Sequence, residues 1–252
     1  MVKLFIADLD GCISHPFESP DWEAFSGVRD LNRRSFEEDG IPYLTLCSGR
    51  PLPYVEAVGQ MLDVRLPFIF ESGGGLYDMR TNKLTWSKHY NNEMREKIKH
   101  IKGWVGREVI DRYDGTIAEF AKETDVGLIN PDADLIREMY QKIDDYVKTN
   151  FDEFETHHTN VSINVIMKKS NKGAAVEQLS RMIDIPLEQI AYIGDGTNDI
   201  PALERVGHPF APINAREETK QHAEVVDLEA TDAVLDVYRR MAHASLRSGV
   251  ND

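Results

Sequence analysis

The chain has 252 residues, of which 43 are acidic and 29 are lysine or arginine, so its formal net charge is −14 at pH 7. This excess of negative charge argues against nucleic acid or an anionic membrane surface as a partner. No apolar run approaches the roughly 20 residues that cross a bilayer, and the N-terminus does not resemble a cleaved leader, so we expect a cytoplasmic protein. The two cysteines, Cys12 and Cys47, are too few for a disulfide framework.

Strands and helices alternate at both ends of the chain. The apolar runs show little alternation, which is typical of strands buried on both faces of a parallel sheet. We therefore predict an α/β fold in which the two ends form one doubly wound, mostly parallel sheet. The predicted strands cover residues 2–9, 42–47, 67–70 and 190–193, and the predicted helices cover residues 22–36, 51–62, 172–183 and 199–206.

The middle of the chain has a different pattern. Strand-like segments lie beside each other there instead of alternating with helices, which favours an antiparallel α+β module. We predict helices over 94–101 and 131–147, and strands within 117–129, 151–157 and 161–167. The expected division is a core domain of residues 1–84 and 170–252 and an inserted cap domain of residues 85–169.

The first polar motif, Asp8-Leu9-Asp10-Gly11, follows the first predicted strand. In an open α/β sheet, ligands bind at the carboxyl ends of the strands. Gly11 permits a turn that could bring both carboxylates to one site. An acidic turn without function is the alternative for a motif this short.

Two motifs could contact a phosphate group. Ser48-Gly49-Arg50 follows the second strand, where a hydroxyl and backbone N–H groups at a helix entry suit phosphate oxygens. Ser48 as a simple helix cap is the alternative. Lys172 stands at the start of a predicted helix, and by itself a lysine there is ordinarily solvated.

The most specific motif is Gly194-Asp195-Gly196-Thr197-Asn198-Asp199, directly after the strand at 190–193. Two aspartates four residues apart in a glycine-rich turn can supply the oxygen ligands that Mg²⁺ prefers. A glycine-rich turn with a capping aspartate is the alternative.

The four motifs, in this order, resemble those of the haloacid dehalogenase superfamily of phosphohydrolases, and within it the Cof-type group, which carries a large α/β cap between the second and third motifs. The segment from Phe210 to Ala215, with Lys220 after it, is also similar to that of phosphoglycolate and sugar-phosphate phosphatases. The segment Glu71-Ser72-Gly73-Gly74 departs from the family's more usual Glu-Asn-Gly.

The resemblance implies a Mg²⁺-dependent phosphatase that acts on a small phosphorylated metabolite. Asp8 would be the nucleophile and Asp10 the acid and base. The metal would be held by Asp8, Asp10 and Asp195, with Asp199 ordering its surroundings. The expected phosphate or substrate contacts are Ser48, Gly49, Arg50, Lys172, Asn198 and, from the cap, Lys122.

Three alternatives differ in what becomes of the phosphate. A receiver-type signalling domain would hold it, but it offers no role for Asp10. A phosphomutase or phosphotransferase would pass it to another hydroxyl. A non-catalytic relic would lack some of the catalytic residues, whereas every catalytic position carries the expected residue here.

The two cysteines raise a separate hypothesis. Because Cys12 and Cys47 flank two of the motifs, they could form a disulfide, and the alternative is that both only pack in the core.

Overall fold

A computed structural model describes residues 1–248, and a parallel five-stranded sheet lies at its centre. In spatial order its strands are β12 (Glu224–Val226), β11 (His208–Pro212), β10 (Ile190–Ile193), β1 (Leu4–Ala7) and β2 (Tyr43–Leu46). The middle strand, β1, pairs Leu4 with both Ile190 and Tyr43, and all its residues are buried. This position explains its uninterrupted apolar sequence, because both of its faces lie in the core.

Helices cover both faces of the sheet. They are α1 (Trp22–Arg34), α2 (Leu52–Met61), α5 (Lys172–Ile183), α6 (Ile200–Leu203), α7 (Glu217–Lys220) and α8 (Ala230–Ser248). Phe5 and Ala7 of β1 join one hydrophobic cluster and Leu4 and Ile6 join another, since neighbouring side chains of a strand point to opposite faces. The predicted doubly wound α/β fold is confirmed. Among residues 1–248, no helix combines the length and apolar character needed to cross a bilayer.

A hairpin that the sequence did not predict extends the sheet. The strand β3 (Phe68–Phe70) lies beside the end of β2 through a parallel bridge between Cys47 and Ile69. It pairs antiparallel with β4 (Gly75–Asp78), which in turn pairs antiparallel with β5 (Lys83–Trp86). This hairpin leads the chain out of the sheet towards the middle module.

The middle module has a four-stranded antiparallel sheet covered by two long helices. Its elements are α3 (Asn92–Val105), β6 (Ile117–Ala118), β7 (Val126–Ile129), α4 (Ala133–Asn150), β8 (Phe154–His158) and β9 (Ser162–Met167), with sheet order β6-β7-β9-β8. It has a hydrophobic cluster of its own, drawn from residues 94–167, which supports our proposed domain division. The strand-like run 117–129 is two short strands, because the loop between them buries polar side chains.

Candidate active site

The first motif lies where β1 ends. The backbone N–H of Asp8 donates to the carbonyl of Ile193 at 3.0 Å, so Asp8 continues the pairing of β1 with β10 at the carboxyl end of the strand. The chain then turns, with Gly11 at φ +78°. A Cβ on Gly11 would lie 2.2 Å from Oδ2 of Asp195, so glycine is required both for the turn and for the close approach of the fourth motif.

Lys172 joins three of the motifs. Its buried Nζ lies 2.9 Å from Oδ2 of Asp8 and 2.6 Å from Oδ1 of Asp199. The same Asp199 oxygen accepts a hydrogen bond from the hydroxyl of Tyr192 at 2.6 Å, and Oδ2 accepts one from the N–H of Gly196 at 2.9 Å. The protein itself therefore satisfies the Asp199 carboxylate, which suits a residue that orders the site.

Asp8, Asp195 and Asp199 form a carboxylate cluster in which one ligand oxygen from each lies within 4.8 Å of the others. Burial raises the pKa of Asp8 well above its ordinary value. Burial, with repulsion from Asp199, raises the pKa of Asp195 to about 7. Lys172 supplies one positive charge against these three groups. A crowded set of carboxylate oxygens short of positive charge fits a hard divalent cation such as Mg²⁺.

Asp10 lies outside this cluster and faces an arginine. Nε and Nη2 of Arg50 each lie 2.7 Å from a different oxygen of the Asp10 carboxylate, which is the bidentate geometry that guanidinium groups favour. Nη1 of Arg50 lies 3.5 Å from Oε1 of Glu119 in the cap. Arg50 therefore connects Asp10 to the cap, and a contact with phosphate would require it to change partners.

The remaining predicted phosphate contacts lie at the same end of the sheet. Ser48 is buried just after β2, and its Oγ accepts a hydrogen bond from the N–H of Arg50 at 3.1 Å. Gly49 lies between them. Asn198 belongs to a single 3₁₀ turn, Thr197–Asp199, after β10. Because β2 and β10 flank β1, these residues lie on either side of Asp8.

Lys122 lies in the cap with its Nζ fully engaged. Its partners are Oε2 of Glu119 at 2.7 Å, Oδ2 of Asp125 at 3.2 Å and Oδ1 of Asn164 at 2.6 Å. Its side chain is 1% exposed. Contact with a substrate, which the sequence predicted, would require Nζ to give up these partners.

Glu71 is a connection between core and cap that the sequence analysis missed. Its buried Oε2 accepts hydrogen bonds from the N–H and the hydroxyl of Thr124, both at 2.6 Å, and from the N–H of Glu123 at 3.0 Å. An acidic residue directly after β3, followed by a run of glycines, was the available clue. It stands at a strand end, as the other motifs do.

The fold and the site together define the class: a doubly wound α/β enzyme with a carboxylate-rich centre at its strand ends and a cap above it. The sequence profile of the haloacid dehalogenase-like hydrolases matches residues 108–237. The chain belongs to this family.

Individual relatives agree. The phosphoglycolate phosphatase of Methanothermobacter thermautotrophicus is 25% identical over 95% of this chain and 98% of its own. The 5-amino-6-(5-phospho-D-ribitylamino)uracil phosphatase of Bacillus subtilis is 22% identical over 94% of this chain and 95% of its own. A crystal structure of a Thermoplasma acidophilum protein matches with a TM-score of 0.75 and 18% identity, covering 96% of this chain and 98% of that one. The prediction of a phosphatase of this family is confirmed.

Proposed function

We propose that the chain is a Mg²⁺-dependent phosphatase that hydrolyses a small-molecule phosphate monoester through a phosphorylated Asp8. The observation that carries this proposal is the contact between Lys172 and Asp8 within a cluster of three carboxylates. Lys172 holds one Asp8 oxygen and leaves the other to attack phosphorus.

The proposed reaction has two steps. In the first, an Asp8 carboxylate oxygen forms a bond to phosphorus, the bond from phosphorus to the ester oxygen breaks, and the carboxyl group of Asp10 gives its proton to the departing alkoxide. In the second, Asp10 takes a proton from a water molecule whose oxygen attacks the same phosphorus. The bond to Asp8 then breaks, which releases inorganic phosphate and restores Asp8.

For this role Asp10 would have to exchange its present partner, Arg50, for the substrate. Both of its oxygens are held by Arg50. To serve as acid and base, the carboxyl group must leave the guanidinium and turn towards the leaving oxygen. Arg50 is then available to the phosphate, which supports its assignment as a substrate contact.

The other side chains bind, orient and balance charge. Ser48, Gly49, Asn198 and Lys172 would donate to the phosphate oxygens. Asp8, the Asp10 carbonyl and Asp195 would hold Mg²⁺, with Asp199 ordering the site. When bound, the ion supplies positive charge opposite the carboxylates and the phosphate. The cap excludes water and contacts the leaving group, with Lys122 as the proposed cap residue.

The relatives are named for phosphoglycolate and for a phosphorylated ribityl compound. Both are small organic phosphate monoesters. We propose phosphoglycolate or a sugar phosphate as the substrate class. A nucleic acid or membrane partner finds no support in a chain with net charge −14, and we propose a cytoplasmic location.

The test is a screen of small phosphate monoesters, in which inorganic phosphate is measured with Mg²⁺ and with excess chelator. Release that needs Mg²⁺ and is lost in Asp8→Asn supports the proposal. Transfer to an added sugar without free phosphate would indicate a phosphotransferase. A phosphorylated protein that persists for hours would indicate a receiver.

A further inference from the structure

A small polar crevice lies beside the carboxylate cluster, between cap and core. Its cap wall is the end of the β8–β9 hairpin, with His157, His158 and Thr159, and its core wall includes Asn198 and Arg216. The cavity volume is about 30 Å³. That is room for about one water molecule or one small polar group. We call it the Arg216 crevice.

The lining of this crevice is free of carboxylates. Among the described residues that line it, none is aspartate or glutamate, although the chain contains 43 of them. Its lining includes Arg216, which can donate hydrogen bonds to an anion, whereas Nε2 of His157 lies 3.0 Å from Oε1 of Glu155 and Nδ1 of His158 lies 3.1 Å from the carbonyl of Thr159.

The guanidinium of Arg216 has more N–H groups than its contact with the cap uses. Its Nη2 donates to the carbonyl of His158 at 2.8 Å, a contact that spans from core to cap. Within residues 1–242, whose side chains are described, no carboxylate lies within ion-pair distance of its guanidinium, whereas Arg50 and Arg205 are both paired. A guanidinium has five N–H donors, so Arg216 can bind an incoming anion without losing its link to the cap.

The crevice adjoins the proposed phosphate site. Asn198, which lines it, belongs to the same turn as Asp199, and the N–H of Arg216 donates to the carbonyl of Asp195 at 3.0 Å. A short molecule that occupies both places would have its phosphate beside Asn198 and a second group in the crevice. The volume of about 30 Å³ suits a small group such as a carboxylate better than a sugar ring.

We propose that the Arg216 crevice binds a carboxylate on the leaving group, and that Arg216 is a specificity-determining residue for compact, doubly anionic phosphate monoesters. This inference rests on the proposed function and narrows it, because it favours an anionic leaving group over a neutral sugar. A charged hydrogen bond between Arg216 and a carboxylate is stronger than one between Arg216 and a neutral hydroxyl.

The test compares two esters of equal length, 2-phosphoglycolate and 2-hydroxyethyl phosphate, which differ in a carboxylate against a hydroxymethyl group. The wild-type kcat/KM should favour the carboxylated ester by roughly tenfold or more. Arg216→Gln should reduce this ratio by roughly tenfold, mainly through the KM of the carboxylated ester. Arg216→Lys should keep part of it. Arg181→Gln, at an exposed arginine on α5, is the matched control and should leave the ratio unchanged.

An equal loss on both esters in Arg216→Gln would overturn the inference, because Arg216 would then hold the transferred phosphate or the fold. So would a wild-type enzyme with no preference, or one that cleaves p-nitrophenyl phosphate but neither test ester. Failure on every ester of the broader screen with Mg²⁺ would instead refute the proposed function, and this inference with it.

Discussion

Among the described residues, two lysines are buried, one in the core and one in the cap. Each contacts two carboxylates. Lys172 lies 2.9 and 2.6 Å from Asp8 and Asp199, and Lys122 lies 2.7 and 3.2 Å from Glu119 and Asp125. By burial and contacts alone the two sites look alike.

They differ in where the carboxylates come from and in how many there are. The partners of Lys122 lie three residues away on either side, within one loop. Those of Lys172 come from separate strand ends, and a third carboxylate, Asp195, joins them. Among the described side chains, no cation lies within ion-pair distance of Asp195. This surplus of carboxylates around Lys172, and not the buried lysine itself, supports the proposed site for a cation and a phosphate.

The largest difference is expected between a substitution of Asp8, at the Lys172 site, and a substitution of Asp125, at the Lys122 site. Asp8→Asn should reduce phosphate release by about 10³-fold or more with folding retained, because the amide cannot attack phosphorus. Asp125→Asn, the cap counterpart, should keep most of the turnover. Both are measured by steady-state phosphate release and circular dichroism. Near wild-type turnover in Asp8→Asn would rule out the proposed covalent mechanism through Asp8.

Lys122→Met should act on stability. Removal of this cation leaves the buried Asp125 uncompensated and leaves Glu119 with only its longer contact to Arg50, at a cost of about 3 kcal/mol, or roughly a hundredfold in the folding equilibrium. Chemical denaturation measures this change. If the free energy of unfolding stays the same while KM rises, Lys122 contacts the substrate, as the sequence predicted, and the cap cluster resembles the core site after all.

The core site should bind Mg²⁺ in a pH-dependent way. Burial raises the pKa of Asp195 to about 7, and its proton must leave before a metal binds. The dissociation constant for Mg²⁺ measured by calorimetry should therefore be roughly 30-fold larger near pH 5.5 than near pH 8. Asp195→Asn should bind weakly at both.

The same shift affects the metal-free protein with a defined sign. The folded pKa of Asp195 lies above its ordinary value of 3.8, so its contribution to stability is greatest below that value and is lost as the pH rises through about 7. Equal metal affinity at pH 5.5 and pH 8 would contradict the prediction that a raised pKa of Asp195 controls metal binding.

The smallest effect is expected at the cysteines. Cys12 and Cys47 are free and buried, and they belong to the hydrophobic clusters on opposite faces of the sheet. Burial raises the pKa of Cys47 to about 12, so its thiol stays protonated and unreactive. Activity should not change on treatment with oxidant. Reversible inactivation that disappears in Cys47→Ser would restore the hypothesis of a redox switch.

Local patterns in the sequence were enough to predict much of the fold. The helix at 172–183 and the strand at 190–193 occur with the predicted bounds. The helix predicted at 199–206 is shorter, a 3₁₀ turn followed by Ile200–Leu203. The hairpin of β4 and β5 was missed, since its strands are partly exposed and lack a continuous apolar run.

The sequence by itself determined the doubly wound sheet, the inserted module and the polar motifs at the strand ends, because apolar periodicity and turn residues act over a few neighbours. Only the tertiary structure decided that Glu71 holds Thr124, that Arg50 holds Asp10, and that Arg216 faces a crevice without carboxylates. Each of these contacts joins residues about 40 to 60 positions apart in the sequence, and the contacts of Glu71 and Arg216 also join the core to the cap. Their partners follow from how the cap packs on the sheet, which no local pattern specifies.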